Sequence, residues 1–144
     1  MIIKQLILSF ISTIGFSILF SSPKKTLGYN GLTGAIGWTI YFITANFFHS
    51  NIAATFLGAL TVGLLGELLA RICKKPATIF ITSGIIPLVP GAGMYYTMFA
   101  IIENDFTMAA TKGVETFFVA TAIAVGVIIS SAFSRSIKRV KLKD

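Results

Sequence analysis

The chain has 144 residues, 55% hydrophobic and 12% charged, with a net charge of +7 and a mean hydropathy of +0.86. One small soluble core cannot bury that share of apolar atoms, so the composition excludes an ordinary soluble domain and points to a bilayer as the solvent. A single cysteine, Cys73, excludes an internal disulfide and a cysteine-based metal site and leaves the redox compartment open.

Five apolar segments follow in chain order, each near the roughly 17–25 residues that carry a helix across the hydrocarbon. The first runs from Gln5 to Phe20 behind Lys4. No small-x-small cleavage pattern precedes Pro23, so it reads as a span and not as a removed signal peptide. The second, Leu32 to Phe48, and the third, Ile52 to Leu69, are separated by the tight turn His49-Ser50-Asn51. The fourth, Ala77 to Ile102, is too long and too interrupted for one ideal helix, and the fifth runs from Val114 to Phe133 into a basic tail over 134–144. No polar linker, low-complexity run or clear internal repeat divides the chain, so residues 1–144 read as a single transmembrane domain. The expected fold is all-α: a polytopic membrane protein with about five transmembrane helices, the fourth broken at a Pro/Gly motif.

The cations set the orientation, because short cytoplasmic loops collect Lys and Arg. Lys24 and Lys25 follow span one, Arg71, Lys74 and Lys75 follow span three, and Arg135, Lys138, Arg139, Lys141 and Lys143 follow span five, all on one side. Only Lys4 and Lys112 fall on the other, where Glu103, Asp105 and Glu115 cluster. The expected arrangement is an N-terminus outside and a C-terminus in the cytoplasm, in a bacterial inner membrane. The basic tail follows a membrane helix without interleaved aromatics, which suits anionic lipid headgroups and not nucleic acid.

The stretch most informative for chemistry lies inside span four: Ser83-Gly84-Ile85-Ile86-Pro87-Leu88-Val89-Pro90-Gly91-Ala92-Gly93-Met94-Tyr95-Tyr96. Two prolines remove amide donors and clash with the preceding turn, and nearby glycines permit unusual backbone. The unpaired backbone groups this leaves are tolerated in a membrane only when buried in protein or lining a wet cavity. Broken helices of this kind build solute sites in transporters, where a half-helix N-terminus attracts an anionic group. Ser83, Pro87, Pro90, Gly91, Gly93 and Tyr95 are therefore the expected solute pathway, while a plain proline kink is the competing reading. Tyr95 and Tyr96 either offer hydroxyls to a solute or anchor at an interface.

Ionisable groups inside a bilayer are costly and usually functional. Glu67 lies four residues before Arg71, a spacing that suits a helical salt bridge, and it is also a candidate for proton coupling. Glu115, just inside span five, either stabilises a helix N-terminus or accepts a proton. Glu103 and Asp105 read as solvated loop charges and His49 as interfacial. Small residues four apart at Ala54/Gly58, Ala59/Gly63 and Ala122/Gly126, with the series Gly28, Gly31, Gly34 and Gly37, predict close helix contacts. No phosphate loop, metal-ligand cluster or nucleophile with a base at useful spacing is present, so an enzyme has no support and neither a cofactor nor a metal is expected.

With Pro87, Pro90, Gly91 and Tyr95 in a Pro-x-x-Pro-Gly-x-x-x-Tyr pattern, nearly the whole chain resembles the small membrane subunit of the threonine/serine exporter family, of the C-terminal-module type. The resemblance implies export of small amino acids such as threonine and serine, or of a small dicarboxylate such as succinate in two-subunit bacterial forms, driven by the proton gradient. Fused members carry a further membrane module ahead of this one, so a second membrane subunit resembling that N-terminal module is the implied partner. A homo-oligomer stays open. The competing class is a non-transporting membrane scaffold or assembly subunit.

Overall fold

The computed structural model describes residues 2–140, and these form six α-helices. They are α1 (Ile2–Leu19), α2 (Leu27–Phe48), α3 (Asn51–Cys73), α4 (Ala77–Gly84), α5 (Gly91–Ile102) and α6 (Phe106–Val140). The architecture is all-α, as the sequence predicts, with six helices because the fourth expected span is two. Lys141 and Lys143 of the basic tail lie outside the described residues.

Among the described residues three helices are long and apolar enough to cross a membrane, and the pair α4–α5, bent by 53° at its break, makes a fourth span if counted as one. The 22-residue α2 is long enough as well, but glycines, threonines and an asparagine dilute its apolar character. Its place in the bundle comes from packing. Gln5, Thr13 and Ser17 of α1 meet Trp38, Gly34 and Asn30 of α2 in reverse order, so the two helices are antiparallel. A two-residue connection then returns the chain along α3. There His49 adopts a left-handed conformation with φ of 52° and the Ser50 hydroxyl accepts a hydrogen bond from the Ala53 amide at 3.4 Å. Gly66 and Gly58 of α3 face Ile81 and Leu88 across an antiparallel contact with the broken span, whose Gly93 and Thr97 face Thr116 and Gly113 of α6. Gly63 and Glu67 meet Ser130 and Ser134 in the same order, so α3 and α6 run parallel.

The chain thus alternates between two faces. Lys24, Lys25, Arg71, Lys74, Lys75 and the end of α6 share one, called here the basic face; His49, Glu103 and Asp105 share the other, the acidic face.

Burial is arranged for lipid and not for water. The buried residues of α1 are Ser9, Thr13 and Ser17, while Ile3, Ile7, Leu8, Ile11 and Ile18 face outward. Each buried hydroxyl donates to a carbonyl of its own helix, Thr13 to Ser9 at 2.7 Å and Ser17 to Thr13 at 2.8 Å. Small polar groups that satisfy themselves in this way let helices approach where hydrocarbon already solvates the apolar faces. The expected glycine contacts form at Gly58, whose added Cβ would stand 3.1 Å from the Gly37 carbonyl, and at Gly126, 2.9 Å from the Phe56 carbonyl. Gly28 is the exception and faces open space. A small apolar core of Ala59, Val62, Leu88 and Ile123 lies between α3, α6 and the break, with Trp38, Tyr41 and Ile85 against it.

Helix ends run past the expected bounds at Ile2, Cys73 and Val140, and two starts move further for identifiable reasons. The second helix starts at Leu27, not Leu32, because Asn30 and Gly31 pack against Ser17, Phe10 and Ile14 of α1 instead of forming a loop. The last helix starts at Phe106, not Val114, because the Asp105 carboxylate caps it by accepting from the Met108 amide at 2.9 Å. Asp105 is therefore exposed, as expected of a loop charge, and also a helix cap.

Candidate functional site

The break in the fourth span has a local cause. Proline at 87 has no amide to continue α4, so the chain passes from Gly84 into one turn of 3-10 helix, Ile86–Leu88, and then extends at Val89 with φ of -59° and ψ of 131°. Pro90 opens α5 without a side-chain cap. The first amide of the new helix, Gly91, donates to the Val89 carbonyl at 2.8 Å, and Met94 donates to Pro90 at 3.1 Å. Between them the amides of Ala92 and Gly93 have no partner among the described residues. They form the positive end of a half-helix dipole.

These amides border a cavity of about 370 Å³, with mixed polar and apolar walls, that reaches toward the acidic face. Its walls come from four helices and the break: Trp38 and Tyr41 of α2, Asn51 and Thr55 of α3, Pro87 to Gly93 with Tyr96, and Lys112, Glu115 and Thr116 of α6. The Lys112 ammonium and the Glu115 carboxylate pair at 3.2 Å, with side chains 40% and 46% exposed. Thr116 donates to the Lys112 carbonyl at 2.6 Å, and its hydroxyl stands against Gly93 where α5 packs on α6. Hydrogen-bond donors at one wall and a carboxylate at another suit a small solute carrying both charges.

Of the residues expected from sequence, Pro87, Pro90, Gly91, Gly93 and Glu115 come together here. Tyr95 does not. It is 64% exposed and stacks on Phe99 with ring centroids 6.2 Å apart, while its neighbour Tyr96 joins Tyr41 in the cavity wall. The sequence reading places Tyr95 in the solute pathway; the residue at the cavity wall is one helical step further on. Ser83 stands apart, in the floor of a second cavity of about 420 Å³ that opens beside Ser21, Ser22, Pro23 and Thr82 on the basic face.

Glu67 lies in neither cavity, and it makes no direct salt bridge with Arg71; among the described residues only Lys112 and Glu115 form an ion pair. The two groups are joined through Ser134 instead. Its hydroxyl donates to Glu67 Oε2 at 3.0 Å and accepts from Arg71 Nη2 at 2.6 Å, while Nη2 also donates to the Ser134 carbonyl at 2.8 Å. The parallel packing of α6 on α3 puts a third polar group between the helical neighbours, which i,i+4 spacing cannot reveal.

Sequence reasoning overlooked Trp38, Tyr41, Asn51, Thr55 and Thr116 because none belongs to a motif. Lys112 carried a signal only as a cation on the sparsely basic side. A larger groove of about 820 Å³ between α5 and α6 is lined by Met94, Met98, Phe117, Ile128 and other mainly apolar residues, and no ionisable group lines it.

Residues 5–133 match the family model described as Threonine/Serine exporter, ThrE. A threonine/serine exporter of Corynebacterium glutamicum is 29% identical over 109 residues, covering 76% of this chain and 22% of the relative. An uncharacterized protein of Haemophilus influenzae is 24% identical over 131 residues, covering 89% of this chain and 44% of the relative. The chain thus spans less than half the length of either relative. No solved structure matches it.

Proposed function

This chain belongs to the threonine/serine exporter family, and from that premise we propose that it is the part of a secondary exporter that binds small amino acids, threonine and serine foremost, at the break between α4 and α5. The observation that carries this reading is the pairing of two unpartnered amides, Ala92 and Gly93, with the Glu115 carboxylate around one cavity of about 370 Å³. The amides suit the solute carboxylate, as half-helix N-termini do in transporters. Glu115 suits the ammonium group, which competes with Lys112 for that carboxylate. A dicarboxylate such as succinate meets the same amides and Lys112, but its second carboxylate faces Glu115. A scaffold has no use for such a cavity at a broken span, which favours transport.

The basic face is cytoplasmic in this reading, in accord with the charge bias, and a bacterial inner membrane is the setting. Glu115 is the proton-coupling group, as the carboxylate of the cavity on the acidic face. A second membrane subunit, or a second module, completes the path. Five crossings place the two ends of this domain on opposite faces, so a partner of five crossings entering from the cytoplasm forms an inverted-topology half, with the solute held where the halves meet.

The test is efflux of labelled threonine, serine and succinate from vesicles holding this chain with and without its candidate partner. Saturable, gradient-dependent efflux of the amino acids only with both subunits is the expected result. Absence of amino-acid efflux with both present refutes the reading.

A further inference from the structure

Asn30 lies one turn into α2 with none of its surface exposed. Its Nδ2 donates to Ser17 Oγ of α1 at 3.1 Å and, at the longer distance of 3.5 Å, to Ser83 Oγ of α4. Its Oδ1 is buried and has no partner among the described residues. The hydroxyls around it have committed their protons elsewhere: Ser17 donates to the Thr13 carbonyl at 2.8 Å, Ser83 to Ile79 at 3.2 Å, and Thr33, which packs on Gly84, to Tyr29 at 2.9 Å. Reversing the carboxamide does not help. Oδ1 would then face two oxygens whose protons point away, and Nδ2 would lose both acceptors. The cluster is rich in acceptors, holds no ionised group and lacks one donor. A buried polar atom without a partner is rare enough to require a cause.

The cluster also has an approach. Ser83, which accepts from Asn30, is the floor of the cavity of about 420 Å³ on the basic face. On the far side of Ser83 the chain enters the break at Pro87 that borders the other cavity. Asn30 itself lines neither cavity; its partner Ser83 lines the one on the basic face, and Pro87, in the same broken span, lines the other.

We infer that the Asn30 carbonyl oxygen is a second solute station, receiving the ammonium group of an amino acid that enters through the basic-face cavity before it reaches the Pro87–Gly93 break. The inference rests on the exporter reading above and adds a substrate preference to it. An ammonium supplies the missing donor, whereas a dianionic dicarboxylate has none to offer and must be desolvated among acceptors that repel it. Movement of the Ser83 hydroxyl away from Asn30 opens the station, and the 3.5 Å bond is the weakest link holding it shut.

The test uses membrane vesicles from cells expressing the full chain with Cys73→Ser and a reporter thiol at Thr82→Cys, an exposed position in the wall of the basic-face cavity. Maleimide labelling of the reporter is followed against threonine, serine or succinate. Threonine and serine should slow labelling and succinate should not. Asn30→Leu should raise the threonine concentration for half-protection by roughly tenfold or more, the loss of one hydrogen bond to a charged group, and Asn30→Asp, which keeps the acceptor, should preserve protection. Monodisperse gel filtration in detergent, compared with the parent, reports whether each variant is folded. Should Asn30→Leu fail to fold, Asn30→Ser, which shortens the acceptor, carries the same expectation.

Unchanged half-protection in a folded Asn30→Leu or Asn30→Ser variant overturns the station and leaves a buried water as the partner of Oδ1. Equal protection by succinate overturns the donor assignment. Efflux of threonine without any protection at Thr82 refutes the station while the exporter reading stands; absence of amino-acid efflux with the partner present refutes the exporter reading itself.

Discussion

Gly91 and Gly93 lie two residues apart in the same wall, yet the structure separates them sharply. A Cβ added at Gly91 meets nothing within 4 Å. Gly91→Ala should therefore leave folding unharmed and stabilise the first turn of α5 by up to about 0.5–1 kcal/mol through helix propensity. At Gly93 the added Cβ overlaps the Thr116 hydroxyl, with Thr116 Cβ at 3.4 Å. Relief by rotating Thr116 breaks its 2.6 Å bond to the Lys112 carbonyl, at about 0.5–1.5 kcal/mol; relief by moving α6 overpacks a helix pair, at about 1–3 kcal/mol. After the propensity gain, Gly93→Ala should destabilise by about 0.5–2 kcal/mol. Thr116→Ala removes the obstacle, so the double variant should recover most of that loss, a coupling of about 1 kcal/mol or more. Denaturant unfolding of the four proteins in one detergent measures the cycle, with efflux assayed in parallel at equal membrane abundance. A Gly93→Ala protein as stable as the parent, or strictly additive effects in the cycle, refutes the close approach of α5 and α6.

Glu115→Gln should leave folding nearly untouched, because its pair with Lys112 is half-exposed and such pairs contribute less than about 1 kcal/mol; efflux should lose its dependence on an imposed proton gradient, and unchanged dependence removes Glu115 from coupling. Ser134→Ala should cost about 1–2 kcal/mol by unlinking Glu67 from Arg71 while leaving solute selectivity as it was, since neither cavity includes these groups; a selectivity change in that variant contradicts a structural role. Thiols placed beside Lys24 and Lys75 should react only from the cytoplasm and one beside Asp105 only from outside, and the reverse pattern rejects the proposed orientation.

The spans and the break were legible because each leaves a one-dimensional signature: apolar length, clustered cations, and two prolines that delete amides wherever they occur in a helix. Helix ends were less so. Asp105 as a cap and Asn30 as an interior residue depend on what the neighbouring elements offer, and a polar residue near a span boundary reads the same from sequence whether it faces lipid headgroups or another helix. The choice between Tyr95 and Tyr96 has a similar origin. The direction of α5 after the break is set by ψ at Pro90, 57°, which fixes the helical phase of everything that follows, and no spacing rule supplies that angle.

The same reasoning explains why the polar interior was the least legible part and why it matters most. In a soluble protein the hydrophobic pattern marks the core, so a polar residue on an apolar face stands out. Here lipid takes the apolar faces and the interior is assembled from glycine, serine and threonine, most of which satisfy themselves on their own helix. Such hydroxyls reveal little about function, because their protons are already spent. A carboxamide differs, since its fork of one acceptor and two donors cannot be satisfied by the carbonyl one turn back. Asn46, exposed on α2, uses Nδ2 in that manner and leaves Oδ1 for the interface; Asn30, buried, turns the same fork across α1 and α4 and is left with an oxygen that no helix can serve. A leucine there would pack against α1 and α4 without a polar atom to satisfy. The carboxamide therefore costs stability that tight packing does not require, and a solute that brings its own donor restores that loss only while it is bound.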